Sequence, residues 1–144
     1  MAYPLQPITL TASASLTRSA HAGTVVNASA AAGMTLTLPA SDGTGSCFTV
    51  RVKTTVTSNN LIIQVANATD VMTGYALLAQ DSADTAVMFE TASTSDTITM
   101  NGSTKGGIVG DLIELVDADS GFWQVRVIGS ATGTEATPFS AAVS

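Results

Sequence analysis

Few side chains in this sequence could do chemistry, and their number limits what that chemistry could be. His21 is the only histidine and Cys47 the only cysteine among 144 residues. A metal site built on two or three histidines, or on several thiolates, is therefore impossible within one chain. A nucleophilic pair of Cys47 and His21 stays open in principle, since proximity in space cannot be read from sequence, but no local motif supports it. Cys47 cannot close an internal disulfide and stands at the start of an apolar run, so it is expected to be a small buried hydrophobe.

The remaining candidates are acids. Asp111, Glu114, Asp117 and Asp119 lie close together in sequence, and a hydrolase or sugar-binding cleft would need two such carboxylates converging at a defined separation. Asp117-Ala118-Asp119-Ser120-Gly121 partly matches a calcium loop, but its glycine comes one place early and Ile128 fills the position of the bidentate glutamate. Asp and Ser at a tight connection more often bond backbone amides. Gly43-Thr44-Gly45 and Gly106-Gly107 are followed neither by a helix pattern nor by the Gly-Lys-Ser/Thr of a phosphate loop, so they read as turns. The Asn-x-Ser/Thr triplets at Asn27, Asn67 and Asn101 are expected by chance in a chain this rich in Ser and Thr, and Met1 to Leu5 lacks the start of a secretion signal. Aromatic residues are too few for a base- or sugar-stacking platform. The expectation is a protein without catalytic residues, cofactor or metal, and not an enzyme.

The elements that would carry these residues are strands. Phe48, Val50 and Val52 alternate with Thr49, Arg51 and Lys53, and Trp123, Val125 and Val127 alternate with Gln124, Arg126 and Ile128. A period of two marks one buried and one wet face. Shorter runs at Ile8 to Thr11, Thr24 to Asn27, Met34 to Leu38, Leu61 to Val65, Thr97 to Asn101 and Asp111 to Val116 are punctuated by Gly, Asn, Asp and Ser, giving roughly eight to ten strands. Met34 to Leu38 is expected to form a hairpin across Ser41 to Ser46, the Phe48 strand to pair with Leu61 to Val65, and Asp111 to Val116 to pair with Phe122 to Ile128. Asp70 to Phe89 is ambiguous between a helical turn and a strand or irregular excursion, with Thr73-Gly74 favouring the latter. Nothing recurs at helical spacing, so the fold class is all-β, an antiparallel sandwich over 8–128.

Composition narrows the partners. The chain is 45% hydrophobic but only 11% charged, against roughly 25% charged in an average soluble domain. A surface of Thr, Ser and Ala suits packing against other protein. Five basic residues and a net charge of -6 argue against binding nucleic acid, and no run approaches the roughly eighteen apolar residues of a membrane helix. Residues 1–7 and 129–144 differ from the middle and read as arms, either frayed or laid along a neighbouring subunit with Tyr3, Leu5 and Phe139 as anchors.

Seven stretches stand out together: Leu16-Thr17-Arg18-Ser19-Ala20-His21-Ala22-Gly23, the run Ala30 to Pro39, Val65 to Met72, Ser95 to Ser103, Gly106 to Asp111, Gly121-Phe122-Trp123 and Gly133 to Ser140. In these stretches the chain resembles the decoration, or cement, proteins of tailed-bacteriophage capsids. The resemblance implies a jelly-roll-like sandwich on the capsid exterior of the virion, assembled in the host cytoplasm. It further implies a homodimer or homotrimer that bridges neighbouring copies of the major capsid protein and stabilises the shell. A head-fibre or tail-associated subunit that recognises the host surface is the alternative, less suited to a chain without repeats.

Overall fold

The computed structural model describes residues 6–143. Over these the chain forms twelve strands and one short helix: β1 (Ile8–Leu10), β2 (Ala14–Ser15), α1 (Arg18–His21), β3 (Val25–Ala28), β4 (Met34–Thr37), β5 (Cys47–Val52), β6 (Leu61–Gln64), β7 (Val71–Gln80), β8 (Ala86–Glu90), β9 (Thr97–Met100), β10 (Leu112–Asp119), β11 (Phe122–Ala131) and β12 (Phe139–Ser140). Asp70 to Phe89, ambiguous in sequence, holds the strands β7 and β8, which pair antiparallel.

Two sheets share these strands. A seven-stranded sheet has the order β1-β3-β5-β10-β11-β7-β8 and a five-stranded sheet the order β12-β9-β6-β4-β2. The all-β sandwich expected from the periodicity is present, but its sheets are mixed rather than antiparallel throughout. β1 with β3, β3 with β5, β11 with β7, β2 with β4, and β4 with β6 are parallel pairs. The hairpin expected between β4 and β5 does not form, nor does the pairing of β5 with β6, because β5 belongs to the large sheet and both its sequence neighbours to the small one. The expected β10–β11 hairpin is present, with Leu112 opposite Ile128 and Asp117 opposite Trp123.

The inner faces of both sheets contribute to one apolar cluster. In the large sheet, Val26, Val50, Ile113, Val127 and Ala76 stand in register across five strands, all fully buried. In the small sheet, Leu36, Ile63, Ile98 and Phe139 form the matching row. Each large aliphatic side chain so buried contributes about 1.5–3 kcal/mol. The Trp123 and Phe48 rings meet edge to face, 5.7 Å between centroids, the arrangement that aromatic quadrupoles favour.

Gly74 lets β7 run beside β11. A Cβ at this position, where φ is +153°, would stand 1.8 Å from the Val125 carbonyl oxygen, so no other residue fits the parallel ladder there.

The segment expected to be a C-terminal arm carries regular structure in both its halves. β11 continues to Ala131, and Phe139, offered above as an anchor on a neighbour, is only 7% exposed and pairs with Ile98 of its own chain. Beyond it, Asp96 Oδ1 accepts from the Ala142 N–H at 2.8 Å and the Val143 N–H at 3.2 Å. The other two expected anchors, Tyr3 and Leu5, lie outside the described residues.

Candidate functional site: buried carboxylates and an exposed sheet face

Asp117 has the most elaborate surroundings of the candidate acids. It follows Ile113 and Leu115 on the inward face of β10, so its carboxylate points into the end of the sandwich, where its side chain is 0% exposed. There it accepts from Arg18 Nη2 at 2.7 Å, the Ser41 hydroxyl at 2.8 Å, the Thr44 hydroxyl at 2.8 Å and the Gly43 N–H at 2.9 Å. The N–H groups of Asp42 and Thr44 add longer contacts at 3.2 Å. Burial alone would raise its pKa, but the Arg18 guanidinium, the Thr44 and Ser41 hydroxyls and the Gly43 N–H together hold it well below the usual carboxylate range. A carboxylate so fully engaged has no lone pair left for a metal or a substrate proton. Its work is to wrap the 40–46 loop and to fasten α1, whose N-cap Thr17 accepts from Ala20 N–H, against β10.

Asp111 serves a second loop. It accepts from Gly107 N–H at 2.9 Å and Ile108 N–H at 3.2 Å through Oδ2, and from Ser130 N–H at 2.9 Å through Oδ1. Here burial dominates and pushes the carboxyl above its ordinary value, against the opposing pull of the Ile108, Ser130 and Gly107 amides. Gly129 makes room for it, since a Cβ there would come within 2.7 Å of the Asp111 carboxyl carbon.

The other two acids are exposed. Glu114 faces outward and pairs with Arg126 at 2.7 Å across the β10–β11 ladder. Asp119 caps its own turn through the Ser120 N–H. Asp111 immediately precedes β10 and Asp117 lies six positions on, near its far end, and they serve different loops, so the structure does not bring them together into a two-carboxylate cleft. Among the described residues there is no group of three or more His, Cys, Asp and Glu able to hold a metal, and no helix is long and apolar enough to cross a membrane.

His21 and Cys47 come from adjoining segments, with Gly23 N–H donating to the Cys47 carbonyl at 2.8 Å. Their side chains turn elsewhere: His21 Nδ1 accepts from Thr17 N–H at 2.9 Å, and Cys47 Sγ lies 3.6 Å from the Gly45 carbonyl oxygen. Cys47 is exposed rather than buried. It shares the outward face of β5 with Thr49 and Arg51, and the alternation that buries Phe48 puts it outside. The side chains of Asn67 and Asn101 fold back onto backbone amides, at Thr69 and Asp70 and at Ser103 and Lys105.

What the candidate acids leave unclaimed is a surface. On the outer face of the large sheet, Leu112, Ile128, Leu77 and Met88 stand side by side in one register across β10, β11, β7 and β8. Ile128 is 49% exposed and Met88 62%. Tyr75, 53% exposed, stands in the next register beside Arg126. Each strand's alternation predicts its own outward residue, but only the pairing order reveals that four large apolar ones fall in a single row.

No protein-family model, curated protein or solved structure gives a significant match to this chain.

Proposed function

We propose that this chain is a virion structural protein that binds the outside of a bacteriophage capsid and stabilises the shell by bridging neighbouring copies of the major capsid protein. The observation that carries this reading is the apolar row Leu112-Ile128-Leu77-Met88 on the outer face of the large sheet, with Ile128, Leu77 and Met88 exposed and Leu112 half-buried. A contiguous apolar patch on a soluble chain is a place where protein is to be covered by protein. Two further features support it. Asp111 and Asp117 are each engaged by several groups that hold loops in place, which suits a rigid part under load. The surface is poor in charge, which lowers the desolvation cost of broad contact. The jelly-roll-like course and the dimer or trimer implied by the resemblance belong to the same proposal. A clamp of this kind binds through many symmetry-related copies, so modest contacts add to a firm hold.

The test is the number of copies per purified particle, measured by quantitative mass spectrometry against the major capsid protein. A copy number comparable to that of the capsid protein is expected. A few copies per particle would transfer the chain to a fibre or tail, and absence from particles would overturn the structural role.

A further inference from the structure

Asn101 is the one asparagine of this chain followed by glycine; Asn27, Asn59, Asn60 and Asn67 precede Ala, Asn, Leu and Ala. In an Asn-Gly pair the glycine nitrogen can attack the side-chain carboxamide with little hindrance, because glycine carries no side chain and bends freely. The fold nevertheless requires both residues. Gly102 has φ +80°, and a Cβ there would stand 1.8 Å from the Val56 carbonyl oxygen. Asn101 uses both ends of its carboxamide: Oδ1 accepts from the Ser103 and Lys105 N–H groups, each at 3.0 Å, and Nδ2 donates to Thr104 Oγ1 at 2.9 Å.

The same contacts hold the reaction off. Attack needs the Gly102 nitrogen stripped of its proton and brought to Asn101 Cγ. In the fold that N–H donates to the Gly106 carbonyl at 2.7 Å, and the carboxamide is pinned over residues 103–105. The turn also ties distant segments together. Ser103 O accepts from Thr132 N–H at 3.0 Å, Thr104 O from Ala136 N–H at 2.9 Å, and Gly107 O from Val56 N–H at 2.9 Å. Surface turns of this kind open without global unfolding.

We infer that Asn101 is a latent site of spontaneous covalent modification, shielded while the 101–107 turn is closed and converted when it opens. The Gly102 nitrogen bonds to Asn101 Cγ, the Cγ–Nδ2 bond breaks, and Nδ2 departs as ammonia with the proton that Gly102 gave up through solvent. Water then opens the cyclic imide to aspartate or isoaspartate. Isoaspartate places an extra carbon in the main chain directly after β9, so the turn no longer recloses onto Thr132 and Ala136. The last segment of the chain is thereby loosened, and the change does not reverse.

The test follows residue 101 in the isolated full-length chain in mildly alkaline buffer, by peptide mapping with isoaspartate-specific methylation. The folded chain should convert at least about tenfold more slowly than the same chain unfolded in guanidinium chloride. Thr104→Val, which removes the acceptor for Nδ2, should speed conversion several-fold in the folded state, and Thr104→Ser should leave it slow. The purified isoaspartyl form should unfold at lower denaturant than an Asn101→Asp chain, whose carboxylate keeps the Ser103 and Lys105 amides. A folded chain that converts as fast as the unfolded one would overturn the shielding, as would a folded Thr104→Val chain that converts no faster than its parent. Equal unfolding midpoints for the isoaspartyl form and Asn101→Asp would overturn the effect on the turn.

Discussion

Arg18 Nη2 stands 2.7 Å from Asp117 Oδ2, joining residues 99 positions apart in the chain. The pair closes the end of the sandwich by tying α1 to the last inward position of β10. Asp117→Asn should lower stability by about 3–5 kcal/mol, because it removes a buried partner from a charged group and unbalances a ring of donors. Arg18→Gln should cost about 1–3 kcal/mol, since the hydroxyls of Ser41 and Thr44 and the loop amides still serve the carboxylate. Urea unfolding of both variants measures the difference.

Stability should pass through a maximum in mildly acid solution. The Asp111 carboxyl is raised in the fold, so as pH falls through that raised value the folded chain takes up a proton before the unfolded one and stability rises. The Asp117 carboxyl is depressed, so its contribution is full above the ordinary value and is lost as pH falls towards the folded one. Together the two place the maximum near the ordinary aspartate value of about 4. Melting temperatures from pH 2 to 8 should show it, with Asp111→Asn flattening the upper limb and Asp117→Asn the lower.

Phe139→Ala should destabilise the isolated protein by about 3–5 kcal/mol, the loss expected for a buried aromatic, because Phe139 completes the inward row of the small sheet. A residue acting only on a neighbouring subunit would leave the isolated chain's unfolding midpoint unmoved.

Cys47 should react rapidly and in full with a thiol-specific dye in the native state, because its side chain is exposed. Cys47→Ser should change stability by less than about 0.5 kcal/mol. Slow labelling governed by global unfolding would contradict the exposed position.

The strands were legible in sequence where apolar and polar residues alternate. Phe48-Val50-Val52 and Trp123-Val125-Val127 lie inward as the period of two predicts. Residue type alone suggests a buried Cys47, whereas its phase with Thr49 and Arg51 places it outside. The phase of Ile113, Leu115 and Asp117 likewise announces an inward carboxylate, which turn chemistry at Asp117 to Gly121 obscured. Partner choice was not legible. Alternation fixes which face of a strand is apolar but not which sheet the strand joins, so β4, β5 and β6 looked like successive hairpins. The loop from Ser41 to Ser46 resembles a hairpin turn because it is rich in Gly and Ser, yet its amides are organised by Asp117, over seventy residues later. The apolar row on the outer face depends on those same pairings, so it too emerges only with the topology.

The interleaving of strands between the two sheets bears on how the chain is made. β1, β3 and β5 pair with one another, but they join the rest of the large sheet only through β10, and β4 and β6 join β9 only after β7 and β8 have been laid down. During synthesis the first half of the chain must therefore wait with unpaired strand edges and a half-covered apolar face. Long-range pairing of this kind makes folding slow and exposes intermediates to aggregation. Faster elongation, or a stop before β10, should divert the nascent chain into inclusion bodies, and slower synthesis at reduced temperature should recover it.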